Sequence, residues 1–208
     1  MFRAPMPGTG SLKARLRKDL RRNRRALGPA DHARRSRIAA AHVAHLPAFK
    51  SGARVAIYLP FDGETDPGAL VAAAARRGIR LYVPVVVNLA HRRLRFYPLA
   101  GKTRPGTFGI SIPKRIPHRH AVGPRWLDLI VIPLVGVDGH GRRLGMGGGF
   151  YDRSLAFRRL RRCWPAPKLV GFAFDCQRAE SVFAQAFDVR LDALATESGL
   201  QFFSRNLP

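Results

Sequence analysis

The sequence predicts an α/β fold, a single domain whose mostly parallel sheet is flanked by helices, and two observations carry that prediction. RVAIYL (54–59), an alanine-rich helical stretch ending at Arg77, and IRLYVPVVV (79–87) follow one another as strand, helix, strand. That order suits a parallel pair joined by a right-handed crossover. LDLIVIPLVGV (127–137) is the most hydrophobic run of the chain, as expected of a central strand buried on both faces.

The chain has 208 residues, 46% of them hydrophobic, enough for one good core and short for two. The domain is expected over 11–200, after a disordered Pro- and Gly-rich lead-in at 1–10 and before a loose tail at 201–208. SLKARLRKDLRRNRRAL sets Leu12, Leu16, Leu20 and Leu27 on a helical stripe, with Ser11 as N-cap and Gly28-Pro29 as the stop. A second helix is expected from about Pro29 to Leu46, with Asp31 in its first turn and Ile38, Val43 and Leu46 among its buried positions. Pro47 ends it. The polar turn PFDGETDPG separates the first strand from the alanine-rich helix, which Gly78 closes. RLRFY (93–97) alternates polar and apolar residues as a half-exposed strand does. From Leu99 to Gly123 the Gly and Pro content argues for an irregular functional loop. LVGFAF (169–174) is the expected neighbour of the central strand. Val189–Thr196 is the expected last strand, with the chain loose after Ser198.

Lys and Arg number 37 against 13 Asp and Glu, a formal charge of +24. Such a field attracts polyanions, and nucleic acid, an acidic membrane surface and a small polyanion such as ATP all match its sign. An RNA-binding protein is one reading, but no RNP, KH or zinc-finger pattern supports it. Cys163 and Cys176 have neither close spacing nor a metal-ligand pattern, and no secretory segment precedes them, which points to a reducing cytoplasm. The longest apolar stretch is broken by Pro133 and Gly136 and falls short of the roughly 20 residues that a membrane-spanning helix needs. The seven histidines complete no zinc set.

Chemistry concentrates in DGHGRRLGMGGGFYDR, 138–153, which follows the central strand and leads into a helix expected near Gly149. Open α/β sheets bind phosphates at such a place. Gly145, Gly147, Gly148 and Gly149 leave backbone N–H groups bare to converge on phosphate oxygens, with the positive end of the following helix behind them. Arg142 and Arg143 add charge. No GK[ST] follows, so this is not a Walker A loop, and it is not a GxGxxG turn after a first strand.

RLGMGGGFYDR resembles the signature of the 5-formyltetrahydrofolate cyclo-ligase (5,10-methenyltetrahydrofolate synthetase) family. The resemblance extends in order through the basic N-terminal helix, YLPFDGETD, TFGI, GFAFDCQ and FDVRLDALAT. It implies a NagB/RpiA/CoA-transferase-like three-layer sandwich. It also implies ATP- and Mg²⁺-dependent conversion of 5-formyltetrahydrofolate to 5,10-methenyltetrahydrofolate, with release of ADP and phosphate. By the same resemblance Lys13 and Arg17, one helical turn apart, contact ATP, together with Arg143, Leu144, Gly145, Met146, Gly147, Gly148, Gly149, Phe150 and Tyr151. Phe61, Glu64, Asp66 and Phe108, with Met146 and Phe150, are the implied folate contacts. Asp152 and Asp188 are the implied Mg²⁺ ligands, and an alignment shifted by one element would move the second role to Asp192. Tyr151 and Arg143 are the implied catalytic side chains. The chain departs from the family pattern at Ile112, where an acidic residue is common, and at Met146, where some relatives carry a basic one.

A formamide carbon is a poor electrophile. Its oxygen is expected to attack the γ-phosphorus first, giving a phosphorylated imidate that N10 then closes upon. That route needs alignment and charge neutralisation but no protein nucleophile. A phosphosugar isomerase or a CoA transferase of related architecture would share a glycine-rich phosphate loop but not a need for ATP.

Overall fold

The computed structural model describes residues 9–99, 103–105, 111–113, 120–160 and 166–204. Helix α1, Thr9–Arg25, begins two residues before Ser11, which therefore sits inside the first turn instead of capping it. Leu12, Leu16, Leu20 and Arg24 recur every four residues along one face. Leu20 and Arg24 are its buried members, so a guanidinium takes the place on the stripe that sequence periodicity gave to Leu27. Helix α2, Pro29–Ala44, has Pro at its start and Asp31 in its first turn, both favourable at the positive end of a helix. It buries Ala39, Ala40 and Val43, and Leu46 is buried just beyond it; Ile38 is only half-buried.

Strand β1, Arg54–Ala56, is parallel to β2, Arg80–Asn88, with Val55 opposite Leu81. Helix α3, Gly68–Arg76, is the crossover between them. Strand β3, Arg93–Pro98, returns antiparallel along β2 with Arg93 and Arg95 exposed and Leu94 and Phe96 buried, the alternation expected of a half-covered strand. Within the stretch expected to be irregular, β4 (Thr103–Pro105) and β5 (Ser111–Pro113) form a short antiparallel pair. Backbone pairing of so few residues leaves little trace in composition.

Strand β6, Leu129–Pro133, lies in the middle of the seven-stranded sheet and pairs in parallel with β1 and with β9, Lys168–Phe172. The hydrophobic run that contains it is not one strand. Beyond Leu134 it turns away as β7, Gly136–Val137, which forms a hairpin with β8, Arg143–Leu144. Two short helices follow, α4 (Phe150–Ser154) and α5 (Phe157–Leu160). Strand β10, Ala193–Thr196, is parallel to β9. The chain does not loosen after Ser198: β11, Gly199–Phe202, folds back antiparallel on β10 and edges the sheet. It is half exposed, and such an edge strand carries only a weak hydrophobic signal.

Alternation along the central strands divides the core. Val55, Leu129, Val131, Val170 and Ala195 pack toward α2 and α3. Ala56, Ile130, Ile132, Leu169 and Leu194 pack on the opposite face, with Leu155, Phe150 and Tyr151. Helix α1 crosses the C-terminal end of β6, where Leu20 meets Gly136 so closely that an added Cβ would lie 2.4 Å from Leu20 Cδ1. The end of the sheet at which α/β folds bind ligands is thereby roofed by a basic helix.

Candidate active site

A cavity of about 1400 Å³ opens beyond the C-terminal ends of β1 and β6, bounded by α1, β2, β3, the turn after β8, α4 and the segment around Asp188. Its glycine-rich wall is held open by the local fold. Asp138 Oδ1 accepts the N–H groups of His140 and Arg142, each at 3.0 Å, which closes the loop between β7 and β8. Gly141, at φ +75°, lies against Phe203 so tightly that a Cβ would be 2.5 Å from the ring. After Leu144 the turn passes through Gly147 at φ +101° and Gly149 at φ +66°, conformations that favour glycine. Gly149 is the residue before α4.

Lys13 and Arg17 of α1 both reach this wall. Arg17 Nε donates to the Gly145 carbonyl at 2.8 Å, and its guanidinium carbon lies 3.7 Å from where a Gly147 Cβ would be. Burial lowers the Arg17 pKa from its ordinary value, and the nearby Asp188 partly offsets this. Lys13 Nζ lies 3.5 Å from Asp188 Oδ2, which also accepts the Gln185 N–H at 2.9 Å. Asp152 Oδ1 accepts Arg143 Nη2 at 2.7 Å and the Val189 N–H at 3.0 Å. That second bond brings Asp152 beside the backbone adjoining Asp188. Arg143 itself is buried and also donates to the Val189 carbonyl, so it braces Asp152 as well as lining the cavity.

Among the described residues no three His, Cys, Asp or Glu side chains gather as a metal cage. Asp152 and Asp188 both line the cavity, and the hydrogen bonds above engage Oδ1 of the first and Oδ2 of the second, leaving one oxygen of each outside them. Two carboxylates that complete their shell with water and phosphate oxygens suit Mg²⁺, which seldom takes an all-protein cage. Asp192 is excluded from that role by its surroundings. It is buried, and its carboxylate is occupied by Arg158 Nη2 at 2.7 Å and the Leu169 N–H at 2.8 Å.

At the other end of the cavity the loop after β1 presents Phe61 and Glu64. Burial pushes the Glu64 carboxyl up to about 7, against the pull of Arg24 and of the Phe61 N–H, which donates to Oε2 at 3.2 Å. Tyr151 is half-buried, and burial, with the Glu64 charge, raises its pKa well above the usual tyrosine value. Its hydroxyl therefore stays protonated and able to donate. Leu144, Met146, Gly148 and Phe150 also line the cavity. Asp66 is not part of that wall; its Oδ1 accepts the Gly68 N–H at 2.8 Å, at the start of α3. Phe108 lies outside the described residues.

Two features of the site carry no sequence motif. Asp62, between Phe61 and Glu64, takes three arginines of α1 at once: Arg21 Nε at 2.7 Å, Arg24 Nη2 at 2.9 Å and Arg25. Arg24, wholly buried, also donates to the carbonyls of Asp62 and Leu134, so the helix that carries Lys13 and Arg17 also fastens the loop with Phe61 and Glu64. Arg92, from the β2–β3 turn, enters the cavity wall. The only advance sign of Asp62 is a carboxylate in FDGE facing a helix rich in arginine.

A mostly parallel α/β sheet with a glycine-rich turn at its carboxyl end, flanked by cations and two carboxylates, is the class of site that suits a phosphate-bearing substrate. The 5-formyltetrahydrofolate cyclo-ligase family model matches residues 9–197, and the chain belongs to that family. The 5-formyltetrahydrofolate cyclo-ligase of Escherichia coli K12 is 35% identical over 181 residues, covering 86% of this chain and 97% of that protein. The Haemophilus influenzae cyclo-ligase is 33% identical over 152 residues, 72% of this chain and 79% of that protein. The solution structure of Aquifex aeolicus 5,10-methenyltetrahydrofolate synthetase superposes with a TM-score of 0.76 at 30% identity, over 95% of this chain and 96% of that one.

Proposed function

We propose that the chain converts 5-formyltetrahydrofolate to 5,10-methenyltetrahydrofolate at the expense of ATP. The observation that carries this reading is one cavity joining the glycine turn, with Lys13 and Arg17, to the Phe61–Glu64 loop. Two substrates can thus meet across Tyr151. The aromatic face of Phe61 suits a flat pterin, and Glu64, when ionised, accepts from its donor nitrogens. Bare N–H groups of the glycine turn and the cations of α1 cradle the polyphosphate. Asp152 and Asp188 would hold a Mg²⁺ ion, which when bound neutralises phosphate charge.

The formyl oxygen attacks the γ-phosphorus and the β–γ bridging oxygen leaves with ADP, giving a phosphorylated imidate. N10 then attacks the imidate carbon and gives up its proton, the C–O bond breaks with its electron pair going to oxygen, phosphate departs carrying the proton, and the ring closes. Tyr151, its proton retained, donates to the oxygen that departs with phosphate as negative charge grows there in the second step. Catalysis is alignment and electrostatics, with no side chain forming a bond to substrate. Among the described residues no helix is long and apolar enough to cross a membrane. A cytoplasmic location is part of the proposal. Purified protein mixed with 5-formyltetrahydrofolate, Mg²⁺ and ATP should develop the near-ultraviolet absorbance of the methenyl product. Folded protein that yields none, or yields it equally without ATP, contradicts the proposal.

A further inference from the structure

Arg92 occupies an unusual position. It is a non-glycine residue at φ +51° in the β2–β3 turn, a left-handed conformation that costs an arginine more than a glycine. The turn is firmly held: the His91 N–H donates to Asn88 Oδ1 at 2.7 Å, and the Leu94 N–H donates to Ser154 Oγ of α4 at 2.9 Å. This second bond anchors the hairpin to the short helix that the glycine turn leads into. From there the Arg92 side chain reaches the turn itself, with Nη1 3.4 Å from where a Gly149 Cβ would be. Arg17 approaches Gly147 in the same way from α1, at 3.7 Å. Two guanidiniums from distant parts of the chain thus lie over alternate glycines of one phosphate-type turn, with the uncharged Met146 beside them.

The two differ in what satisfies them. Arg17 donates to Gly145 O. Arg92 forms no ion pair with a carboxylate among the described residues, although it lines the cavity. An arginine in a strained, tethered turn, aimed at a glycine cradle and with no carboxylate partner among the described residues, is suited to an anion that arrives with the ligand. We infer that Arg92 is a polyphosphate-binding residue, supplying from the β2–β3 turn a cation that the glycine turn itself lacks at Met146. The inference rests on the nucleotide reading of this cavity.

The test is ATP affinity, measured calorimetrically with Mg²⁺ and without folate, in the wild type, Arg92→Gly, Arg92→Lys and Arg93→Ala. Glycine suits the left-handed backbone, so Arg92→Gly should keep its melting temperature while losing about tenfold in ATP affinity, the low end for a charge-assisted hydrogen bond. Arg92→Lys should recover part of that loss, and Arg93→Ala, on the exposed face of β3, should bind as the wild type does. Unchanged ATP affinity in Arg92→Gly overturns the inference, as does an equal loss in Arg93→Ala, which would indicate nonspecific charge. Failure of the reaction is scored separately by formation of the methenyl product, because ATP binding needs no turnover.

Discussion

Helix α1 places arginines in two settings that differ in what faces them. At its C-terminal end Arg21, Arg24 and Arg25 converge on the Asp62 side chain, which is almost wholly covered. At the cavity, Arg17 meets a carbonyl and the bare glycine turn, and Arg92 comes from across the wall to the same turn. The first cluster is matched by a carboxylate within the protein; in the second, Arg17 and Arg92 face the glycine turn, and under the proposed function their anion is the polyphosphate. Whether a carboxylate faces the guanidinium, more than the count of arginines, separates fold from function in a chain of charge +24.

Removing the carboxylate from the closed cluster should have the largest effect. Asp62→Ala leaves a buried guanidinium uncompensated and should lower stability by about 3 kcal/mol in chemical denaturation. An unchanged midpoint and slope would mean that the cluster is not what fastens the loop. Within the open cavity, Tyr151→Phe should leave stability nearly unchanged and reduce kcat about a hundredfold, the usual result of losing a donor to developing charge. Asp152→Asn should also slow turnover, with some loss of stability because Arg143 loses its charged partner. Wild-type rates in both variants would remove those residues from the reaction.

Glu64 lies between the two settings. Burial pushes its carboxyl up to about 7 from an ordinary value near 4.5, so the native state holds the proton more tightly than the unfolded chain. Stability should therefore fall as pH rises from about 4.5 to 7 and stay reduced above that, by about 2 kcal/mol after allowance for partial exposure. Glu64→Gln should lose this component of the pH dependence, and melting curves for the two proteins that run parallel across the range would refute it. Lys13→Ala should have the smallest effect, raising the KM for ATP several-fold with little change in kcat, since Lys13 is partly engaged by Asp188. Equal KM values would place Lys13 outside the nucleotide site.

The sheet was legible in the sequence because its strands are runs of β-branched residues punctuated by Gly and Pro, and the glycine turn because its spacing is dense. What stayed hidden depends on partners far apart in the chain. Arg24 follows three leucines on one stripe, and no local rule says that its charge is buried against residue 62. Arg92 sits in a turn whose sequence, LAHRRL, resembles any basic hairpin end; the pairing of β2 with β3 and the tie from Leu94 to Ser154 bring it to the glycines. Asp66 was legible in kind but ambiguous in role, and the structure gives it to the start of α3. Strand β7 was hidden inside a run that looked like one strand, because hydrophobicity does not mark where a strand leaves its sheet.

Phosphoryl transfer to the formyl oxygen is the central claim, and isotope tracing tests it most directly. With 5-formyltetrahydrofolate carrying ¹⁸O in its formyl group, each inorganic phosphate released should contain that oxygen. Unlabelled phosphate, with the heavy oxygen lost to water, would show that ATP hydrolysis is not joined to ring closure in this way.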